Sequence, residues 1–572
     1  MKSLQELIYA AKGEEKVDIV LKNANLVNVL SGEIYPTEIS VYDEVIIGIG
    51  PGYEAHEVID LAGAYVLPGF IDAHIHIESS MVEVPQFARA VVPLGTTTVI
   101  ADPHEIANVL GYEGLRYMMD SSKFNPLNVY FMLPSCVPST KLESAGSELR
   151  AFDIFPFLRE KWVLGLAEMM NFPGVLSADQ DVLDKLKIAR DKRIDGHAPG
   201  LTGKDLNAYI AAGISSDHEC TTVAEAEEKL RLGMHIMIRE GTGTKNLKDL
   251  LPLVNEKNIS RCIFCTDDRH PNDIVHEGHI NFMIKTAINQ GVDPVNAIRM
   301  ATINPAEFFG LKTLGAIAPG KKADMVVIDD FKEFNIKKVF KNGKLVVMNG
   351  IPIYDIPARP KSMLRSSVNI KWLEQQDFDI PAEGQNCNVI NIIKDQIVTG
   401  ASIEKVKIEN NKIVSDPEND ILRCYVVERH RASGNIGKGL VKGFGLVHGA
   451  FASSIAHDSH NIVVVGVEDE AIFNAVVQIN KMGGGIAVTD ADGCILESLE
   501  LPIAGLMSNK PIEYVSQKMD AINQQIHHLG STLTDPPMTL SFLALPVIPA
   551  LKLTDKGLVD VLKSEFVCLY SV

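Results

Sequence analysis

The sequence lacks an apolar stretch long enough to cross a bilayer. The longest apolar run near its end, SFLALPVIPALKL, is too short and carries Pro546 and Pro549. It also lacks the apolar core of a signal peptide, because MKSLQELIYAAKGEEKVD scatters charges along its length. Positive charge is in deficit. Lys and Arg number 54 against 73 Asp and Glu, a formal net charge of -19. Phosphates would be repelled, so neither a nucleic acid nor an anionic membrane is an expected partner. The eight cysteines are dispersed over a long chain, which excludes a disulfide framework. Cys262 and Cys265 form a lone C-x-x-C with no second pair. In the apolar run CIFC they read as two buried strand cysteines. There is no internal repeat. A cytoplasmic location is the default that follows.

The chain has ample core-forming material, with 46% hydrophobic residues. Its 572 residues exceed a single core, so two to four domains are expected. Residues 17 to 67 read as short β-strands between Gly, Asn and Pro turns. From about residue 66 short apolar runs alternate with amphipathic stretches, the βα signature of a parallel sheet. The strand candidates are VLPGFIDAH, TTTVIADPH, NVYFMLPS, KWVLGLAEM, RIDGHAP, GISSDHE, HIMIREGT and RCIFCTDD. Eight is the count of a (β/α)₈ barrel, and such barrels carry their chemistry at the C-terminal strand ends. Nearly every candidate ends in His, Asp or Glu. Polar residues that merely terminate strands would explain one or two of these endings.

After residue 310 short strands return in GAIAPGKKADMVVIDD and IKKVFKNGKLVVMNG, the second with a hairpin signal at Asn342-Gly343. The fold class is therefore α/β. A TIM-like barrel over residues 67–310 is flanked by a small β-sandwich domain built from 1–66 and 311–360. The stretch IPARPKS, around residues 356 to 362, reads as a linker. An additional C-terminal α/β (α+β) domain over 365–572 carries a Gly-rich turn at Gly483-Gly484-Gly485.

His74-Ile75-His76 is the strongest local signal. Residues i and i+2 of a strand share a face, so both imidazoles can reach one metal ion. Glu168 ends the fourth candidate strand, where an unpaired carboxylate would be costly. Its two oxygens can bridge two cations. His197 and His218 end the fifth and sixth strands; each alone is an ordinary satisfied histidine, but together they can hold a second metal. Asp267 ends the eighth strand and can bind the first metal and take a proton from water. Asp268 should point to the other side if the strand geometry continues. A set of nitrogen and oxygen ligands without thiolate suits Zn, Mn or Fe.

These residues resemble the amidohydrolase superfamily. PGFIDAHIH after a short-strand region and the later G-x-I-A-P-G-K-K-A-D-M-V-V-I-D carry the likeness over residues 17 to 350. Most cyclic-amide hydrolases of that superfamily carry a carbamylated lysine at the fourth strand; here Glu168 stands there. With HIHIESSM, ADPHEIANV, GLAEMMNFPGV, DGHAPGL, GISSDHECTT and TDDRHP, the chain resembles the bacterial and archaeal adenine deaminases. GLVHGAFASSIAHDSHNIVVVG and GGGIAVTDADG are similar to that family's extra domain.

The resemblance implies hydrolysis of adenine to hypoxanthine and ammonia in purine metabolism, at a dinuclear site supplied with manganese or iron; zinc also fits the ligand types. A hydroxide would attack C6 while Asp267 moves its proton. N1 must also be protonated. His104 and Glu240 are candidate donors, although Arg239 and Glu240 read equally well as a surface pair. His270, His276 and His279 read as structural or exposed residues of a helix. His457, Asp458 and His460 form a polar cluster before an apolar strand. It is either a plain loop or one that closes over the barrel mouth, as a lid or an extra site. The alternatives are another cyclic amidohydrolase, acting on a hydantoin or dihydropyrimidine, and a scaffold that has lost its metals. The expected partners are the small-molecule substrate and further copies of the chain.

Overall fold

The computed structural model describes residues 2–355, 364–394 and 396–571. The expected linker at 356–362 lies outside the described residues. All eight barrel strands form. They are β1 (Phe70–Ile75), β2 (Thr96–Ala101), β3 (Asn128–Leu133), β4 (Val163–Met169), β5 (Arg193–Gly196), β6 (Ser216–Asp217), β7 (His235–Arg239) and β8 (Cys262–Cys265). β1 to β5 pair in parallel in sequence order, as do β6 to β8. Backbone bonds at two seams close the ring. Ser215 N donates to the Ile194 carbonyl at 3.1 Å between β5 and β6. Asp267 N donates to the His74 carbonyl at 2.9 Å between β8 and β1.

Amphipathic helices separate most strands, such as Gln180–Ile188, Gly203–Ala211 and Val223–Arg231. The last starts where Thr222 Oγ1 accepts from Glu225 N, a side-chain N-cap. Ala73, Ile100, Met132, Ala167, Met237 and Ile263 come from six different strands yet form one buried cluster. Only the barrel interior brings them together, so it is a packed plug rather than a pore. Cys262 and Cys265 are buried in β8.

Both flanks of the barrel enter one antiparallel-rich sheet, nine-stranded among the described residues. Tyr65–Pro68 pairs with Met325–Ile328 and joins the N-terminal strands to the later ones. The hairpin joining Ile336–Lys341 to Lys344–Met348 turns at Asn342 and Gly343, with φ of 49° and 75°. Two consecutive positive φ values define a turn that Asn-Gly tolerates at least cost.

The C-terminal region builds a second large sheet. Its centre runs Ile421–Val427, Ile462–Gly466, Ala450–Ser453, Gly485–Thr489, all fully buried strands. Helix Asp469–Met482 packs on it and ends at Gly483 in the left-handed region. This region docks directly on the barrel. Ser508 N donates to the Met81 carbonyl at 2.8 Å, and Glu83 N donates to that of Ser508 at 2.9 Å. His270 Nδ1 meets Asp535 Oδ2 at 3.0 Å. Among the described residues no helix is long and apolar enough to cross a membrane.

Candidate metal centre

The C-terminal ends of β1, β4, β5, β6 and β8 converge on one buried carboxylate. Glu168 Oε1 faces His76 Nε2 at 3.2 Å and His74 Nε2 at 3.7 Å. Its Oε2 faces His197 Nδ1 at 2.6 Å and His218 Nε2 at 3.2 Å. Asp267 Oδ1 lies 3.0 Å from His76 Nε2 and 3.4 Å from His74 Nε2. Thus His74, His76, Glu168, His197, His218 and Asp267 are brought together, with one Glu168 oxygen toward each histidine pair.

The proton placement matters more than the distances. His76 Nδ1 bonds the Asp102 carbonyl at 2.9 Å. A carbonyl only accepts, so Nδ1 carries the hydrogen and Nε2 of the neutral ring presents a lone pair. That lone pair meets two carboxylate oxygens and, at 3.2 Å, His74 Nε2. Such a gathering of acceptors repels itself unless a proton or cation lies among them. The charge preferences agree. Burial alone would lower His76, but hydrogen bonds that Asp267 and Glu168 accept from it outweigh burial and hold the imidazole well above its ordinary range. Burial and His218 together push His74 down. Burial would raise Glu168, yet His197, His218 and His76 keep it well below the usual carboxylate range. The donor set, hard oxygens and imidazoles around a shared carboxylate, fits divalent cations.

His104, which opens the helix after β2, sits beside this group. Its Nδ1 bonds Asp102 Oδ2 at 3.0 Å and stands 3.7 Å from Glu168 Oε1. Asp102 thus orients two histidines, one through its carbonyl and one through its carboxylate. Sequence reasoning missed it, although it stands in the quoted ADPHEIANV motif.

Three expectations are corrected. Arg239 and Glu240 are not a surface pair, since both are buried. Arg239 Nη1 donates to Asp267 Oδ2 at 2.8 Å and its Nη2 to Glu219 Oε2 at 3.1 Å. The Glu240 carboxylate instead accepts from Leu247 N at 3.2 Å and is absent from the cavity wall, so it is not placed to protonate a substrate. Asp268 does not point away. Asp267 adopts φ of 60°, a left-handed turn that an Asp side chain tolerates. That turn breaks the strand alternation, and Asp268 also lines the cavity, accepting from Ser79 Oγ at 2.5 Å. Of the later histidines only His276 lies within a helix and is exposed. His270 and His279 are buried helix caps.

The His457 cluster closes over the barrel mouth. His457 Nδ1 bonds Glu105 Oε1 at 2.7 Å, and His460 Nε2 makes a short bond to Glu105 Oε2. Asp458 Oδ1 lies 3.9 Å from His104 Nε2. Nothing in local spacing links Glu105 to residues more than 350 positions later. A cavity of about 40 Å³ remains between barrel and C-terminal region, with the histidine and carboxylate group on one side and Ile397, Met538, Phe542, Leu545 and Ile548 on the other.

A (β/α)₈ barrel with this group at its strand ends is of the amidohydrolase class, and residues 65–346 match the amidohydrolase family. Residues 396–565 match the adenine deaminase C-terminal domain. An adenine deaminase of Desulfatibacillum aliphaticivorans is 52% identical over 570 residues, 99% of each chain. Adenine deaminase 2 of Carboxydothermus hydrogenoformans is 49% identical over 562 residues, 98% of each. One from Dehalococcoides mccartyi is 50% identical over 560 residues, again 98% of each. The chain belongs to the adenine deaminase family.

Proposed function

We propose that the protein hydrolyses adenine to hypoxanthine and ammonia at a dinuclear metal site, a reaction of purine salvage. The observation that carries this reading is Glu168, whose two oxygens face separate ligand groups: His74, His76 and Asp267 on one side, His197 and His218 on the other. Family membership supplies the substrate. Divalent cations bound there, manganese first and iron or zinc next, supply Lewis acidity that turns water into a nucleophile at neutral pH.

The chain's own residues do the rest. Asp267 Oδ1 faces the histidine pair and accepts the proton of the attacking water, while Arg239 fixes its other oxygen. The same proton can pass to the departing amine at C6. His104 carries a proton beside Glu168. Burial would lower its affinity for it, but Asp102 and Glu105 together hold it well above its ordinary range. The Ile397–Ile548 wall excludes water from the ring face. In this reading the chain divides into the barrel (67–310), the small β-domain (1–66 with 311–360) and the C-terminal domain (365–572).

Glu168 makes the bridging carboxylate part of the chain, so no carbamylated lysine is needed. Protein stripped of metal and reloaded with Mn²⁺ in carbonate-free buffer should release ammonia from adenine, with little or none from adenosine. Activity confined to dihydropyrimidines, or a strict bicarbonate requirement, would reject the reading.

A further inference from the structure

The proposed reaction leaves open what recognises the purine. The cavity's apolar wall offers no side-chain hydrogen bonds. One polar side chain of the C-terminal domain enters the cavity without being used up. Asp458 is 2% exposed, lines the cavity, and its Oδ2 has no hydrogen-bond partner. A buried carboxylate oxygen left unpaired is costly, and a ligand donor is one way to satisfy it.

The loop bearing Asp458 is built rather than loose. His457 on one side bonds Glu105 and stacks on Phe542, with ring centroids 4.7 Å apart and planes 20° apart. His460 on the other side bonds Glu105, and its carbonyl accepts a short bond from the buried Arg429. Asn461 Nδ2 donates to the Ser144 carbonyl of a barrel loop at 2.7 Å. Asp458 is therefore held at a fixed place on the cavity wall, its Oδ1 3.9 Å from His104 Nε2.

The His457–His460–Glu105 cluster itself does not read as a third metal site. Ala456 N donates to His460 Nδ1 at 3.1 Å. Nδ1 is thus an acceptor, the neutral ring carries its proton on Nε2, and that proton goes to Glu105. A ring nitrogen already protonated offers no lone pair to a cation. The cluster's role is to aim the loop.

We infer that Asp458 is a specificity-determining residue, whose carboxylate accepts the N9–H of a free purine base across the cavity from the reacting C6. The inference rests on the adenine-hydrolysing function proposed above. N9 is the ring nitrogen that a nucleoside replaces with a sugar. A carboxylate facing it would find no hydrogen to accept and would stay buried and unpaired. A site built for one hydrogen bond rejects analogues that cannot make it far more strongly than an apolar pocket does.

The test uses the Mn²⁺-loaded full chain, 9-methyladenine, and hypoxanthine binding by calorimetry. Wild-type kcat/KM for 9-methyladenine should fall at least about a hundredfold below that for adenine. Asp458→Asn should raise KM for adenine and Kd for hypoxanthine about ten- to a hundredfold, while kcat changes by less than about threefold. Asp458→Ala should narrow the gap between the two adenines. Equal use of both by the wild type would overturn the inference, and that arm needs no variant to fold. So would an Asp458→Asn that loses kcat while hypoxanthine Kd is unchanged, because the carboxylate would then act in the chemistry and not in recognition. Failure of the function itself shows separately, as no ammonia from adenine in the wild type.

Discussion

Glu168 and Glu105 are both buried carboxylates facing histidines, and their surroundings differ in what the remote ring nitrogens touch. Around Glu168, the far nitrogen of His76 donates to a carbonyl, so the near nitrogen is a bare lone pair. Around Glu105, the far nitrogen of His460 accepts from a backbone N–H, so the near nitrogen brings a proton. The first cluster calls for a proton or a cation at its centre and the second already has its hydrogens. The same residue types give a candidate cation site in one place and a hydrogen-bonded clamp in the other. What the remote ring nitrogen touches decides which.

The contrast can be broken from either end. The largest effect should come from Glu168→Gln. An amide cannot bridge two cations with two anionic oxygens, so bound metal should fall and turnover drop by at least about 10³-fold, beyond the loss of one electrostatic contact. Metal analysis and ammonia release on one sample check this, and full metal with near-normal turnover would contradict it. Asp267→Asn comes next, at about 10²–10⁴-fold in kcat if metal stays bound, the usual range for a general base. Asp268→Asn keeps an acceptor for Ser79 and should cost only about tenfold, the scale of one hydrogen bond. A larger loss from Asp268→Asn than from Asp267→Asn, with metal retained, would move the base by one residue.

Glu105→Gln should do the reverse of Glu168→Gln. The metal content should be unchanged, while stability falls by about 3 kcal/mol, the cost of breaking a buried ionic group. Chemical unfolding beside metal analysis separates the two. Loss of metal in Glu105→Gln would make the clamp a metal site after all. His457→Ala and His460→Ala should lower kcat/KM for adenine with the barrel still folded, and wild-type kinetics in both would leave the loop without a part in substrate binding.

The barrel was readable because nearly every strand is a short apolar run closed by a ligand-type residue, and that pattern is local. His74 and His76 follow from strand periodicity. Asp268 did not follow, since the left-handed Asp267 interrupts that periodicity. Arg239 was misread for a related reason. β7 ends at Arg239, whose guanidinium turns in to Asp267, while Glu240 turns to the Leu247 amide. The docking of the C-terminal region was not readable at all. Its bonds, such as His457 to Glu105 and His270 to Asp535, join residues hundreds of positions apart, and no spacing encodes them.

The smallest expected effect lies at that junction. His270 is buried, which would lower it, but Asp535 holds it above its ordinary value of 6.5. Its folded affinity for the proton thus exceeds the unfolded one. The stabilisation is full below about 6.5 and is lost as pH rises through the raised folded value. The melting temperature of wild type minus that of His270→Gln should shrink as pH rises from neutral. A difference that grows with pH would contradict the pairing.

The central claim is that the carboxylate between β1 and β5, and not the clamp above it, holds the metals that hydrolyse adenine. Metal-free protein titrated with Mn²⁺ in carbonate-free buffer tests this most directly, with ammonia release from adenine read at each addition. Activity should rise to a plateau at two equivalents per chain, with no further ion bound tightly. A plateau at one equivalent, a third tightly bound ion, or no activity until bicarbonate is added would contradict it.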